Sequence, residues 1–243
     1  MMGCLAPTLA KESHPIQVAV LGVTPEVVNL PWPTPVRVQA YDESLDMLKR
    51  VWRPNPRVVS SARVARWQSL PLPDKTMDAV VGDGVLYVLG GLSACSEVLV
   101  EIRRVLKPHG MLALRCFVRP DASETVEDIG EAAYSGEIGG FHALKMRLSM
   151  ALAESPTYSF EVSEVHGAFT RLFPDRAFLS RRTGWPLEAI DTIDAYQHAT
   201  TRYTCPTLSV LSEIWEPFFN LEAQCHGQYE LAERCPTLCL RAK

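Results

Sequence analysis

Asp42 closes an apolar-rich run, Val36-Arg-Val-Gln-Ala-Tyr-Asp42, and Glu43-Ser44-Leu-Asp-Met47-Leu48 follows at once. This order predicts a short strand that ends in a carboxylate and turns directly into a helix. In an α/β sheet, a carboxylate at the carboxyl end of a strand sits where ligands bind. It can accept two hydrogen bonds from the vicinal hydroxyls of a ribose. The chemistry to expect is recognition of a nucleoside-containing cofactor, with ordinary helix capping by Asp42 as the alternative.

The segment upstream narrows the choice. Ile16-Gln-Val-Ala-Val-Leu-Gly22 reads as a strand buried on both faces. Thr24 suits a helix N-cap, Pro25 the first helical position and Glu26 the first turn. A dinucleotide site wants G-x-G-x-x-G here, so that backbone can approach a pyrophosphate. Only Gly22 is present, Val23 and Thr24 crowd that approach, and Pro25 removes a donor. A nicotinamide-dependent reductase is therefore disfavoured. S-adenosylmethionine carries a ribose and an adenine but no phosphate, and its carboxylate suits a helix N-terminus.

These residues need a sheet to hold them, and the chain is long enough to build one. It has 243 residues, 47% hydrophobic and 21% charged, with a net charge of -4. That suits one soluble domain, or one domain with a large insertion, and gives no electrostatic reason to expect nucleic acid. Arg171, Arg176, Arg181 and Arg182 read as a solvated helix face. No apolar run is long enough to span a membrane, and Met1 to Lys11 lacks a signal-peptide pattern. Seven cysteines without C-x-x-C fit a reduced, cytoplasmic protein. Cys235 and Cys239 fall four apart in an expected strand, roughly 13 Å from each other on one face, so no metal site is expected.

Helical spacing marks Glu43 to Trp52, with an apolar stripe of Leu45, Met47, Leu48 and Val51. A short strand is expected at Ala62 to Arg66 and a buried one at Met77 to Gly82. Next comes a helix capped by Ser93 and running to Leu106, then a strand from Met111 to Val118. This alternation implies a mainly parallel doubly wound sheet. From Arg119 to Tyr203 no strong strand is visible. Helices are expected at Phe141 to Glu154, Glu161 to Phe173 and Pro186 to Ala199, and so long a connection implies a helical subdomain. A helix over Pro206 to Phe218 and strands at Phe219 to His226 and Arg234 to Arg241 end the pattern.

Four segments together resemble the class I S-adenosylmethionine-dependent methyltransferases. They are Val18 to Glu26 at the glycine-loop position and Asp42-Glu-Ser44-Leu-Asp-Met47-Leu48, similar to "D-x-S-x-x-M-L". Leu70-Pro71-Leu72-Pro73-Asp74 with Met77-Asp78-Ala79-Val80-Val81 is similar to "L-P-F-P-D-x-x-F-D-x-V". Glu101 to Leu112 is similar to "E-x-x-R-V-L-K-P-G-G-x-L". The resemblance implies an α/β, Rossmann-like, seven-stranded mixed sheet with six parallel strands and the last antiparallel. The helical insert falls before the last two strands. A cofactor-binding core of 1–118 and 204–243 would carry an insert, 119–203, as substrate lid.

The resemblance also implies roles. Leu21, Gly22 and Val23 would line the methionine portion of S-adenosylmethionine, whose product is S-adenosylhomocysteine. Asp42, with Glu43 beside it, would hold the ribose. Trp67 and Gln68 would lie near the adenine, and Gly82, Asp83 and Gly84 near the methyl group. Two departures stand out. The usual G-x-G-x-G is replaced by Gly22-Val-Thr-Pro-Glu, and Arg66, which has no acceptor, stands where the family often has an acid.

The expected reaction is methyl transfer to a small-molecule acceptor, aided chiefly by alignment and water exclusion. No catalytic residue is assigned; His142 and Asp83 are the candidate bases for a hydroxyl acceptor. Tyr87 and the insert's Tyr134, Phe141, His142, Trp185, Tyr196 and Tyr203 are the candidate acceptor contacts, aromatic rather than basic. The alternative is a non-catalytic, methyltransferase-like binding or regulatory module. The exposed insert also offers a surface on which two copies could form a homodimer.

Overall fold

The computed structural model describes residues 1–9 and 14–243. Helix α1 (Met2–Leu9) precedes β1 (Ile16–Leu21), the short α2 (Pro25–Val28), β2 (Val36–Asp42), α3 (Leu45–Arg50) and β3 (Val59–Val64). Then come β4 (Met77–Asp83), α4 (Leu92–Val105) and β5 (Leu106–Arg115). The insert holds α5 (Val126–Ser135), α6 (Phe141–Leu152), β6 (Ser159–Glu161), α7 (Val162–Leu172), α8 (Arg176–Thr183), α9 (Leu187–Asp191) and β7 (Arg202–Thr204). Helix α10 (Leu208–Trp215), β8 (Phe219–Cys225) and β9 (Thr237–Ala242) complete the chain.

The main sheet has seven strands in the order β3-β2-β1-β4-β5-β9-β8. Strands β1 to β5 are mutually parallel. Strand β9 runs antiparallel between β5 and β8, as the sequence implied. The apolar runs of β1 and β4 are buried because both faces are covered. Alternation divides β1 between two cores: Ala19 and Leu21 pack with α4 and α10, while Val18 and Val20 pack with Leu5 and Leu9 of α1 and with Trp32. The insert has a third cluster of its own, built on Ile129, Leu144, Phe160, Phe169, Phe173 and Trp185.

Several local expectations are corrected. The helix after Asp42 is only Leu45–Arg50 and has no buried residue; Ser44 caps it by accepting from the Met47 amide at 3.2 Å. Strand β3 lies at Val59–Val64, not Ala62–Arg66, because its register comes from backbone pairing with β2 and not from a hydrophobic face. Gly91, with φ 155°, caps α4, so Ser93 lies inside the first turn. The insert contains a small antiparallel pair, β6 with β7, and two helices outside the expected spans, the second of them within the arginine stretch read as a helix face. Of these, α5 starts at a Thr125/Asp128 capping box and α8 ends at left-handed Gly184. The expected helix 186–199 splits into α9 and a 3-10 turn, Thr192–Tyr196.

Cys235 precedes β9 and does not share it with Cys239. Cys239 is disulfide-bonded, contrary to the expectation of a fully reduced chain, while Cys95, Cys116, Cys205, Cys225 and Cys235 are free. Among the described residues, no helix is long and apolar enough to cross a membrane. No group of three or more His, Cys, Asp or Glu among them could hold a metal ion.

Candidate functional site

Strand order reverses between β1 and β4, and open α/β sheets bind ligands outside the carboxyl ends of strands at such a point. A cavity of about 350 Å³ opens there. Its lining includes Leu21, Gly22, Val23, Asp42, Glu43, Trp67, Gln68 and Asp83, which the sequence analysis singled out. Two wider clefts, of about 600 and 660 Å³, lie away from the strand ends, around Arg119–Glu127 and around α10–β8.

One carbonyl organises the wall of the cavity. The Tyr41 oxygen accepts from the Gly22 amide at 2.7 Å and from the Trp67 indole Nε1 at 2.7 Å. That fixes the indole across the ends of β1 and β2. Gly22 has φ +95°, and a Cβ built on it would project to within 3.9 Å of Thr24 Oγ1 and the Trp67 ring. A side chain here would be strained. Thr24 is the N-cap of α2, but its side chain makes no cap bond and the helix is a single turn.

Asp42 ends β2 with one oxygen committed and one open. Its Oδ1 accepts from the Ser44 amide at 2.9 Å, and among the described residues nothing donates to Oδ2. Burial pushes its pKa above the ordinary value, the Ser44 bond pulls it back, and neighbouring Glu43 adds a further push upward. At the cavity mouth, Glu43 faces Arg66 at 3.7 Å, both largely exposed.

Asp83 faces the cavity, but Arg115 grips it with two bonds, Nε to Oδ1 at 2.6 Å and Nη2 to Oδ2 at 2.8 Å. Both oxygens are thus engaged, unlike those of a free base. Gly82 and Gly84 do not line the cavity. A Cβ on Gly82 would meet Val85 at 2.4 Å, and one on Gly84, at φ +66°, would meet Phe117 at 2.9 Å; both positions serve packing. His142 is exposed at the start of α6 and is not part of the lining. Partial desolvation of its ring, then the charges of Lys145 and Arg115, lower its pKa.

The cavity also takes in residues the sequence reading left out of the cofactor set. Ser44 and Met47 belong to the "D-x-S-x-x-M-L" segment, so that signal was present but was used only for Asp42. Val88 and Leu89 come from the loop after β4, and Thr201 and Tyr203 from the end of the insert. Thr204, fully buried, ties the two together: its amide donates to the Tyr87 carbonyl at 2.8 Å and its hydroxyl to the Leu89 carbonyl. Of the aromatic candidates, Phe141 and Trp185 are buried in the insert's core. Tyr134 packs on Phe173 and Phe178, and Tyr203 reaches the cavity.

Residues 24–114 match the family model of a methyltransferase domain. An uncharacterized methyltransferase of Schizosaccharomyces pombe is 33% identical over 105 residues, which are 43% of this chain and 38% of that protein. The chain therefore spans about two fifths of the curated relative it matches. A SAM-dependent methyltransferase from Methanosarcina mazei superposes with TM-score 0.55 at 12% identity, covering 96% of this chain and 95% of that one. A putative methyltransferase from Haloferax volcanii, solved with the Trm112 methyltransferase activator, gives TM-score 0.51 at 13% identity, covering 99% and 89%. A Rhodobacter sphaeroides structure described as a putative zinc-dependent alcohol dehydrogenase gives TM-score 0.59 at 11% identity, covering 97% and 88%. Likeness at such identities shows a shared fold alone. The matched domain segment is what discriminates, and over it the chain is similar to a methyltransferase domain.

Proposed function

We propose that the protein transfers a methyl group from S-adenosylmethionine to a small organic acceptor. Residues 1–118 and 204–243 form the cofactor-binding core in this reading, and residues 119–203 form the substrate lid. The observation that carries it is the open oxygen of Asp42, on a cavity whose other wall is the pinned Trp67 indole. That donor set fits the cofactor: a carboxylate oxygen for ribose hydroxyls and an aromatic face for adenine. Gly22 leaves room where a Cβ would project, beside Leu21 and Val23 at the methionine end.

The bound cofactor supplies an electrophilic methyl group. The protein's part is alignment and exclusion of water. Thr201 and Tyr203 close the cavity from the insert, and Thr204 fixes them to the loop after β4. Asp83 and His142 receive no role as base here, since Arg115 occupies the first and the second lies outside the lining. The small apolar volume and the net charge of -4 favour a small molecule over nucleic acid.

Calorimetric titration with S-adenosylhomocysteine tests the reading. Micromolar binding that weakens at least about tenfold in Asp42→Ala supports it; unchanged affinity in the variant refutes it. The Arg66–Glu43 pair at the mouth favours a second reading, a binding module without turnover. That module would bind S-adenosylhomocysteine yet release no product with any acceptor offered.

A further inference from the structure

Helix α6 of the insert carries one positive charge that no carboxylate among the described residues balances. Helix α6 places Phe141, Lys145 and Ser149 on one face, four residues apart. Ser149 donates to the Lys145 carbonyl at 2.9 Å and is hydrogen-bonded to the buried Tyr87 hydroxyl. Tyr87 in turn packs on Tyr203 at 4.7 Å between centroids, and Tyr203 lines the cavity. This face of α6 therefore looks toward the loop after β4. The Lys145 ammonium lies 5.4 Å from the Phe141 ring and 5.4 Å from the Tyr196 ring, with the Thr192 hydroxyl at 3.5 Å.

The neighbouring charges close among themselves and leave Lys145 out. Arg115 is neutralised by its two bonds to Asp83. His142 is pushed toward its neutral form by partial desolvation of its ring and then by Lys145 and Arg115. Among the described residues, no carboxylate pairs with Lys145, and burial alone lowers its pKa. Aromatic faces stabilise a cation in part, but a half-buried charge without a counter-ion still carries a desolvation cost. A bound anion would remove that cost. A single ammonium between rings matches one point charge on a flat body. A phosphate dianion would call for an arginine fork or several donors.

On the reading that the cavity holds S-adenosylmethionine, we propose that the methyl acceptor is an aromatic carboxylic acid. Lys145 takes its carboxylate, and its ring rests against Tyr196 and Tyr203. Lys145 is thus the residue that sets acceptor charge specificity.

The test uses the full chain loaded with S-adenosylhomocysteine and a matched pair of probes, 4-hydroxybenzoate and 4-hydroxybenzamide. Calorimetry is run on the wild type, Lys145→Met, which keeps the apolar stem, and Lys145→Arg. The acid is expected to bind at least tenfold tighter than the amide. That preference should vanish in Lys145→Met and return in Lys145→Arg, with affinity for S-adenosylhomocysteine the same in all three. Equal binding of the two probes, no binding of the acid, or a preference that survives in Lys145→Met overturns the proposal. If S-adenosylhomocysteine binds and the preference is absent, this inference alone falls. If S-adenosylhomocysteine does not bind, the cofactor reading falls with it.

Discussion

Two carboxylates at opposite ends of the sheet, Asp78 and Asp42, are treated in opposite ways. At the amino-terminal end, Asp78 is buried and fully engaged: it accepts from the Gln17 amide at 2.8 Å and from Lys107 at 2.5 Å. Nearby, Glu101 accepts from the Leu70 amide at 2.6 Å and from Arg104 at 2.7 Å. The same Arg104 holds the Leu72 carbonyl and Asp74. At the carboxyl-terminal end, Asp42 keeps one oxygen open, and the exposed Arg66–Glu43 pair is loose. Closed networks hold the fold; open valences await a ligand. The same residue type does both jobs, and its partners decide which.

The largest effect is expected where a closed network is broken. Glu101→Ala strands the Leu70 amide and removes the main partner of Arg104. A loss of about 3 kcal/mol follows, typical of removing one partner from a buried charged pair, and urea unfolding reads it directly. The folded fraction should still bind S-adenosylhomocysteine with wild-type affinity. A loss below about 1 kcal/mol, within the range of exposed pairs, would deny that this end is structural.

Next comes the open carboxylate. Asp42→Asn keeps the oxygen that caps Ser44 but loses the charge. Affinity for S-adenosylhomocysteine should fall by about 1.5–3 kcal/mol, the worth of hydrogen bonds to a charged group, with little change in unfolding free energy. The contrast with Glu101→Ala is the point: one variant loses stability, the other binding.

Acid sharpens the comparison, because the two classes titrate with opposite signs. Burial raises the pKa of Glu101, but Arg104 and Leu70 outweigh it and leave it below the ordinary value. Glu124 behaves likewise under Arg234 and Arg147. A depressed folded-state pKa contributes stability above the unfolded value of about 4.3 and loses it as pH falls through the folded one. Asp42 is raised, so its contribution is present below the unfolded value of about 3.9 and lost as pH rises through the folded one. Urea midpoints should therefore fall steeply below about pH 4 in the wild type. In Glu101→Gln that fall should be shallower, while Asp42→Asn should keep the wild-type slope there and gain slightly in stability at neutral pH.

The sequence made the sheet legible for simple reasons. β1 and β4 are continuous apolar runs buried on both faces. Asp42 was legible because its strand, its turn and the Ser44 cap are contiguous. Helix α5 was missed, and α8 was read only as a solvated arginine face, because each is defined more by its caps than by a long apolar stripe. Strand β3 was shifted because an edge strand has little hydrophobic period to follow. Lys145 reads in sequence as an ordinary solvated lysine on a helix. Its meaning comes from Thr192 and Tyr196, which only the fold brings to it.

The smallest effect concerns the other departure, Arg66. An exposed pair at 3.7 Å contributes under about 0.5 kcal/mol, so Arg66→Ala should leave stability unchanged. Arg66→Asp replaces a group without acceptors by one that can accept from an adenine amino group. If adenine lies against Trp67 as proposed, the variant gains one hydrogen bond partly offset by its exposure. It would then bind S-adenosylhomocysteine roughly two- to fivefold tighter, or about 0.5–1 kcal/mol. S-inosylhomocysteine, in which a carbonyl replaces that amino group, should gain nothing from the same change. Equal gains for both ligands would mean that the introduced carboxylate acts through Glu43 and the cavity mouth, and that the adenine edge faces elsewhere.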